Sequence, residues 1–193
     1  MRLKPLPPDT LDAELRFVHE EIASLITKSQ GPVVMINEEG ALLGPFPPML
    51  HFPQFGIPAL TFLRSLDNHA TLPQTVREVA ILTVGGALGS RFELYAHEIM
   101  AASFGISPGI TASLAAGNRP EGLNDQEVIA HDIASALVRG RIIPASTYNR
   151  AVSLLGEPGA GELIFLISGY CLIATVLNGF DMPAPEPKVI SKV

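Results

Sequence analysis

The pattern of apolar and polar positions predicts helices along most of the chain. Apolar residues recur with a helical period over residues 12–28, after Asp9 or Thr10 as possible caps, and Gly31 with Pro32 ends this segment. Further helices are predicted over about 58–66, 77–89, 91–104, 107–116, 124–139, 146–155 and 161–178. No segment alternates convincingly with the period of a strand, apart from a weak candidate at residues 33–36. The chain is therefore predicted to be all-α.

Proline marks the segment between the first helix and the remainder. Four prolines lie between Pro45 and Pro53, and proline inside a helix removes a hydrogen bond and clashes with the preceding turn. We therefore expect residues 33–53 to form an extended connection without a regular helix. The whole chain, 1–193, is predicted to be one domain, with an N-terminal helix and arm (1–57), a helical core (58–180) and an extended tail (181–193).

Composition favours a globular protein that associates with copies of itself. Hydrophobic residues make up 47% of the 193 residues, charged residues 17%, and the mean hydropathy is +0.32. Such an apolar chain has surface to bury between subunits, so a homo-oligomer is expected. The net charge is −6 and the basic residues are scattered, which argues against a nucleic-acid partner.

Targeting, disulfide and metal signals are weak. The N-terminus lacks the apolar segment of a signal peptide. Residues 163–180 carry no charge, but eighteen residues with interspersed polar positions fit a buried helix better than a membrane span. A single cysteine, Cys171, excludes an intrachain disulfide and a Cys-x-x-Cys pair, and no spacing indicates a metal site. The sequence predicts a cytoplasmic protein without a membrane or metal partner.

Two acidic residues and a histidine interrupt the most apolar part of the chain, residues 77–106. Glu93 and His97 are four residues apart and so lie on one face of an otherwise apolar helix, while Glu78 opens the preceding helix. Each has a structural interpretation. Ser90 and Glu93 have the spacing of a capping box, His97 could be a core histidine, and Glu78 suits the first turn of a helix. The alternative is an acid–base set, because a carboxylate beside a buried imidazole fixes its orientation and raises its pKa.

These residues also carry a resemblance to a known family. Glu78, followed by Ser90-x-x-Glu93-x-x-x-His97 and flanked by REVAILTV and AASFGIS, resembles the motif of the carboxymuconolactone decarboxylase and alkylhydroperoxidase D superfamily. The resemblance is strong over about 58–114 and weaker as far as residue 180. In the peroxidase branch, two cysteines stand where this chain has Ser90 and Glu93. The chain is therefore similar to the decarboxylase-like branch.

The resemblance implies an alkylhydroperoxidase D-like helical bundle, assembled as a trimer or hexamer, that acts on a small molecule without a cofactor. The implied reaction, typical of aromatic degradation, is decarboxylation or a related proton transfer on a small cyclic carboxylic acid or lactone. His97 would donate the proton, Glu93 would hold the imidazole and Glu78 would orient the set. The candidate substrate-binding residues are Ser90, Arg91, Leu50 and His51, with Arg77 and Arg64 as further cations.

Two alternatives remain open at this stage. Peroxide reduction is suggested by the family name but opposed by the missing cysteines, because that chemistry needs an activated thiolate. A non-catalytic ligand-binding oligomer would use Glu93 and His97 only as buried structural groups.

Overall fold

The structure, a computed structural model, describes residues 1–29 and 31–185. A short 3₁₀ turn, Pro8–Thr10, precedes eight α-helices in this part of the chain: α1 (Ala13–Ser29), α2 (Phe46–His51), α3 (Pro53–Asn68), α4 (Gln74–Leu88), α5 (Arg91–Ser103), α6 (Pro108–Ala115), α7 (Asp125–Val138) and α8 (Ala145–Gly179). The weak strand candidate forms only an isolated antiparallel bridge between Ile36 and Leu42, so the described residues contain no sheet. The predicted all-α class is confirmed.

Helix α4 lies at the centre of the molecule. Every residue from Val76 to Gly85 is buried, and α5, α6, α7 and α8 pack around it. A helix that is apolar on all sides requires partners on all sides. Gly86 permits the closest of these contacts, because a Cβ at this position would lie 2.1 Å from the carbonyl oxygen of Leu114 in α6. The chain leaves α4 at Gly89, whose φ of 63° is left-handed and favours glycine.

The prediction that residues 33–53 contain no regular helix is wrong in its last third. Pro47 and Pro48 lie in the first turn of the six-residue α2, and Pro53 is the first residue of α3, which starts five residues before the predicted position. First-turn N–H groups have no partner within a helix, so proline costs little there. The tight bend between α2 and α3 depends on Gly56, because a Cβ there would lie 2.1 Å from the carbonyl oxygen of Met49.

Helix α8 contains the two helices predicted at the C-terminal end, separated at Gly156, whose φ of 73° and ψ of 166° are not helical. By length and composition α8 could cross a membrane, which by itself is weak evidence, since core helices of soluble proteins pass the same criterion. In this fold α8 packs against α3, α4 and α7. It contributes Leu163, Leu166 and Ile167 to the main core.

The helix caps agree with the sequence in part. Asn124 and Glu127 form the predicted capping box of α7, and Ser107 accepts a hydrogen bond from the backbone N–H of Ile110 at the start of α6. The sequence predicted Asp9 or Thr10 as the cap of α1, but the cap lies later in the chain. The side chain of Asp12 accepts a hydrogen bond from the backbone N–H of Leu15. Most of the predicted extended tail, residues 186–193, lies outside the described residues.

Candidate functional site

A cavity of about 280 Å³ lies between α1, α3, α5, α8 and the connection before α2. Each helix contributes residues at helical spacing, so one stripe of its surface faces the space. These stripes are residues 22, 25 and 26 of α1; 60, 63, 64, 66 and 67 of α3; 92, 93, 96 and 97 of α5; and 170, 173 and 177 of α8. Met35 and Pro45 of the connection and Phe46, the first residue of α2, complete the wall. Most of this wall is apolar, and its polar members are Arg64, Asp67, Glu93, His97 and Tyr170.

The imidazole of His97 is hydrogen-bonded to a residue of the neighbouring helix, on the side away from the cavity. Its Nδ1 lies 2.9 Å from Oε2 of Glu78, which is 4% exposed and does not itself line the cavity. A carboxylate can only accept a hydrogen bond, so Nδ1 carries the ring proton and Nδ1–H is the donor to Glu78. The second ring nitrogen, Nε2, takes no part in this hydrogen bond. The two helices bring the groups together because α4 and α5 form a hairpin around Gly89 and Ser90. This pairing corrects the expectation that Glu93 holds the imidazole.

Glu93 lies on the cavity wall as a carboxyl group without a hydrogen-bond partner. It is 2% exposed, and neither carboxyl oxygen has a partner among the described residues. Burial raises the pKa of Glu93 well above its ordinary value of 4.5, because an ionised carboxylate loses its hydration there. Burial therefore shifts Glu93 toward its protonated form, which can donate a proton or a hydrogen bond.

Tyr170 completes the polar part of the wall, and the sequence did not single it out. Its ring meets the ring of His97 edge to face, with 5.0 Å between the centroids. Burial, followed by the charges of Asp67 and Glu78, raises the pKa of Tyr170 far above its ordinary value of 10, so the hydroxyl keeps its proton. The only sequence signal for Tyr170 was its position as a polar aromatic residue within the uncharged segment 163–180.

The four predicted substrate-binding residues do not line the cavity. Leu50 is buried in the cluster between α1, α2 and α3, and His51 contacts the backbone carbonyl of Lys4 through Nε2. Arg91 points to the surface and pairs with Asp181 at 2.5 Å. Ser90 is fully buried, and its hydroxyl has no partner and makes no cap bond, so the predicted capping box with Glu93 does not form. The connection does reach the cavity, but through Met35, Pro45 and Phe46 rather than Leu50 and His51.

The two other arginines have different environments. Arg77 is buried and donates to the carbonyl of Leu66, to Asp67 at 2.7 Å and to Glu162 at 3.2 Å. Arg64 lines the cavity, and its single ion pair, with Glu21, is 3.5 Å long. Within the described residues, no three His, Cys, Asp or Glu side chains are arranged to hold a metal ion.

Comparisons with known proteins bear on the fold. The sequence matches no protein-family model, and no curated protein matches it. An uncharacterised peroxidase-related protein from Ralstonia eutropha JMP134 with an alkylhydroperoxidase AhpD core is similar in structure, with a TM-score of 0.73 and 13% identity over 96% of this chain and 92% of that chain.

Two further solved structures are similar. The debrominase Bmp8, in a variant bound to 2,3,4-tribromopyrrole, has a TM-score of 0.71 at 13% identity over 96% of this chain and 92% of its own. An AhpD-type antioxidant defence protein of unknown function from Agrobacterium tumefaciens has a TM-score of 0.64 at 10% identity over 72% of this chain and 96% of its own. These similarities confirm the predicted AhpD-like fold, and at such identities they concern the fold alone.

Proposed function

We propose that this protein is an enzyme that catalyses decarboxylation, or a related proton transfer, on a small cyclic carboxylic acid or lactone without a cofactor. The observation that carries the proposal is the position of a buried carboxyl group without a hydrogen-bond partner among the described residues, Glu93, beside a carboxylate-bound imidazole, His97, on the wall of one cavity. The two groups favour opposite proton-transfer roles, as acid–base catalysis on carbon requires.

His97 is suited to act as the base. Its Nδ1–H is engaged by Glu78, which fixes the ring orientation and leaves Nε2 with the lone pair. A carboxylate behind an imidazole also stabilises the imidazolium that forms when Nε2 accepts a proton. Because Glu78 is buried and outside the cavity, it acts through His97 and is a positioning residue.

Glu93 is suited to act as the acid. In a decarboxylation, the bond between the carboxylate and the adjacent carbon breaks, CO2 leaves, and the electron pair remains as an enolate conjugated with a carbonyl. Glu93 donates its proton to that carbon and is reprotonated from water, so the net reaction consumes one proton and releases one CO2. In an isomerisation, His97 removes the proton and Glu93 returns one at another carbon. The protonated hydroxyl of Tyr170 is a candidate hydrogen-bond donor to the enolate oxygen.

Two observations oppose the alternatives. Cys171 does not line the cavity, and burial raises the pKa of its thiol, which disfavours the thiolate that peroxide reduction needs. A purely structural role for Glu93 is also disfavoured, because buried structural carboxyl groups normally have hydrogen-bond partners and this one has none.

The test is turnover in D2O with a panel of cyclic β-keto acids and unsaturated lactone carboxylates, followed by NMR for deuterium incorporation and by CO2 release. We expect one member of the panel to react, and both Glu93→Gln and His97→Asn to lose roughly 10²- to 10⁴-fold in rate. Glu98→Gln is the matched control, because Glu98 is exposed on the same helix. No reaction across the panel, or full activity in both cavity variants, would contradict the proposed catalysis and favour a protein that only binds a ligand.

A further inference from the structure

The charged groups of the cavity carry information on its substrate. We infer that the substrate is a largely apolar, single-ring molecule with one negative charge, and that Arg64 is the residue that binds this charge. The inference rests on the proposed function for the identity of the cavity as the active site. It goes beyond that function by assigning the charge of the substrate and its anchor.

Arg64 is the one cationic side chain among the described residues that line the cavity. It lies on the stripe of α3 that also places Leu60 and Leu63 on the wall, so its guanidinium is presented from a helix rather than from a loop. A guanidinium has five N–H donors, and the described residues give this one a single partner, Glu21, at 3.5 Å. Both side chains of that pair are partly exposed, at 38% and 47%. Such an ion pair is weak, and most of the donors remain available to a ligand.

The other arginines considered from the sequence are occupied elsewhere. Arg77 is 4% exposed, has two carboxylate partners and a carbonyl, and holds the end of α3 to α4 and α8. Arg91 lies outside the cavity and pairs with Asp181. Of the three cations, only Arg64 combines access to the cavity with unused donors.

The remaining wall limits the substrate to one charge. Apart from Glu93, His97 and Tyr170, a second carboxylate would meet aliphatic or aromatic side chains from α1, α5 and α8. An ion without a cationic partner is strongly disfavoured in such surroundings. Asp67 cannot bind a second carboxylate, because its own side chain is acidic and already pairs with Arg77. Glu93 tolerates an anion nearby because burial favours its neutral form.

The size of the cavity indicates a compound with a single ring. Its volume of about 280 Å³ lies just below the usual range for small-molecule sites, roughly 300–1,000 Å³. An apolar cavity of roughly 150 Å³ is sufficient to bind benzene. The space therefore fits one substituted ring, with its carboxylate at Arg64 and a reacting carbon near His97 and Glu93.

Binding of three probes to the full chain tests this inference without turnover. Benzoate carries one charge, benzamide is its neutral isostere and phthalate is a dianion of similar size. By isothermal titration calorimetry we expect benzoate to bind most tightly, and Arg64→Gln to weaken benzoate binding roughly 10- to 100-fold, as for loss of a charge-assisted hydrogen bond. Benzamide binding should not change in Arg64→Gln, and Arg64→Lys should restore part of the benzoate affinity. Arg91→Gln is the matched control, since it removes the same charge from outside the cavity.

Several results would overturn the inference: no benzoate binding at millimolar concentration, equal affinity for benzoate and benzamide, tighter binding of phthalate, or benzoate affinity unchanged in both Arg64 variants. Circular dichroism verifies that each variant is folded. If Arg64→Gln does not fold, benzoate binding to Arg64→Lys still tests the inference. The outcome is separable from the proposed function. Binding of benzoate that depends on Arg64 but comes with no turnover of any acid would refute catalysis and leave the anchor in place.

Discussion

Nδ1 of His97 lies 2.9 Å from Oε2 of Glu78 across the hairpin between α4 and α5. Glu93, one turn before His97 on the same helix, makes no hydrogen bond to any residue that the structure describes. The histidine is thus paired with the more distant residue in sequence, and the nearer carboxyl group is left to the cavity. This division gives the two glutamates different chemistry and different consequences when they are replaced.

The Glu78–His97 pair should be energetically coupled. Removing one partner leaves the other without its hydrogen bond in a largely buried position. Glu78→Leu and His97→Leu, which have no polar atom to replace the lost group, should therefore each destabilise the fold by roughly 1–3 kcal/mol. In a double-mutant cycle by urea denaturation we expect a coupling of about 0.5–3 kcal/mol. The pair Glu98 and His97 serves as the control, because Glu98 is exposed. Additive effects of Glu78→Leu and His97→Leu would contradict the pairing.

Replacement of Glu93 should change how stability depends on pH. Its pKa is raised in the folded protein, so between its ordinary value of 4.5 and the raised value the native state binds more protons than the unfolded chain. Stability must then fall as the pH rises through that window, by up to about 1.4 kcal/mol per pH unit. Glu93→Gln, which mimics the neutral acid, should match the wild type near pH 4 and exceed it in melting temperature at pH 7 to 8. If the melting temperatures of the wild type and Glu93→Gln instead changed in parallel with pH, burial would not raise the pKa of Glu93 and the prediction would be wrong.

Glu162 should behave in the opposite way. Burial alone would raise its pKa, but hydrogen bonds from Thr71, Leu72 and Arg77 outweigh it and lower the pKa below its ordinary value of 4.5. A depressed pKa stabilises the fold above the ordinary value, and this contribution is lost as the pH falls through the lowered one. Glu162→Gln should therefore cost roughly 1–3 kcal/mol at pH 7 and progressively less below about pH 4, measured by denaturation at each pH. Glu157→Gln, an exposed change on the same helix, is the control.

Thiol peroxidase activity should be absent. With a dithiol reductant and an alkyl hydroperoxide, we expect the wild type and Cys171→Ser to have the same background rate, because the raised pKa of the thiol disfavours the reactive thiolate. Turnover that Cys171→Ser abolishes would establish a peroxidase.

Association into oligomers should depend on an apolar groove on the surface, formed by Phe52, Phe55, Leu172, Val176 and Phe180 together with parts of α2 and α3. Phe55 is 72% exposed at its edge. Exposed apolar patches of this kind often mark protein contacts. Sedimentation at micromolar concentration should show an oligomer, and Phe55→Asp should shift it towards the 20.5 kDa monomer. Ile142→Asp, at an apolar residue that is still more exposed and lies outside the groove, should not. A wild-type monomer would refute the expected homo-oligomer.

The sequence by itself determined the helices and the motif. The 3.6-residue period, the glycine and proline stops and the capping box of Asn124 predicted most helices, because these signals act within one or two turns of the chain. The resemblance carried by Glu78, Glu93 and His97 predicted the AhpD-like fold. The same local rules failed at Pro47 and Pro48, where a first helical turn tolerates what an interior turn excludes.

Only the tertiary structure decided how the site residues meet. The sequence favoured Glu93, one turn before His97 on the same helix, as the partner of the imidazole, whereas the crossing of α4 and α5 selects Glu78. Arg64, Arg77 and Arg91 are equivalent as cations until packing exposes one to the cavity, buries another and turns the third to the surface. Helix periodicity fixes which residues share a face, but what a face meets depends on contacts between segments far apart in sequence. Local pattern carries no information on those contacts.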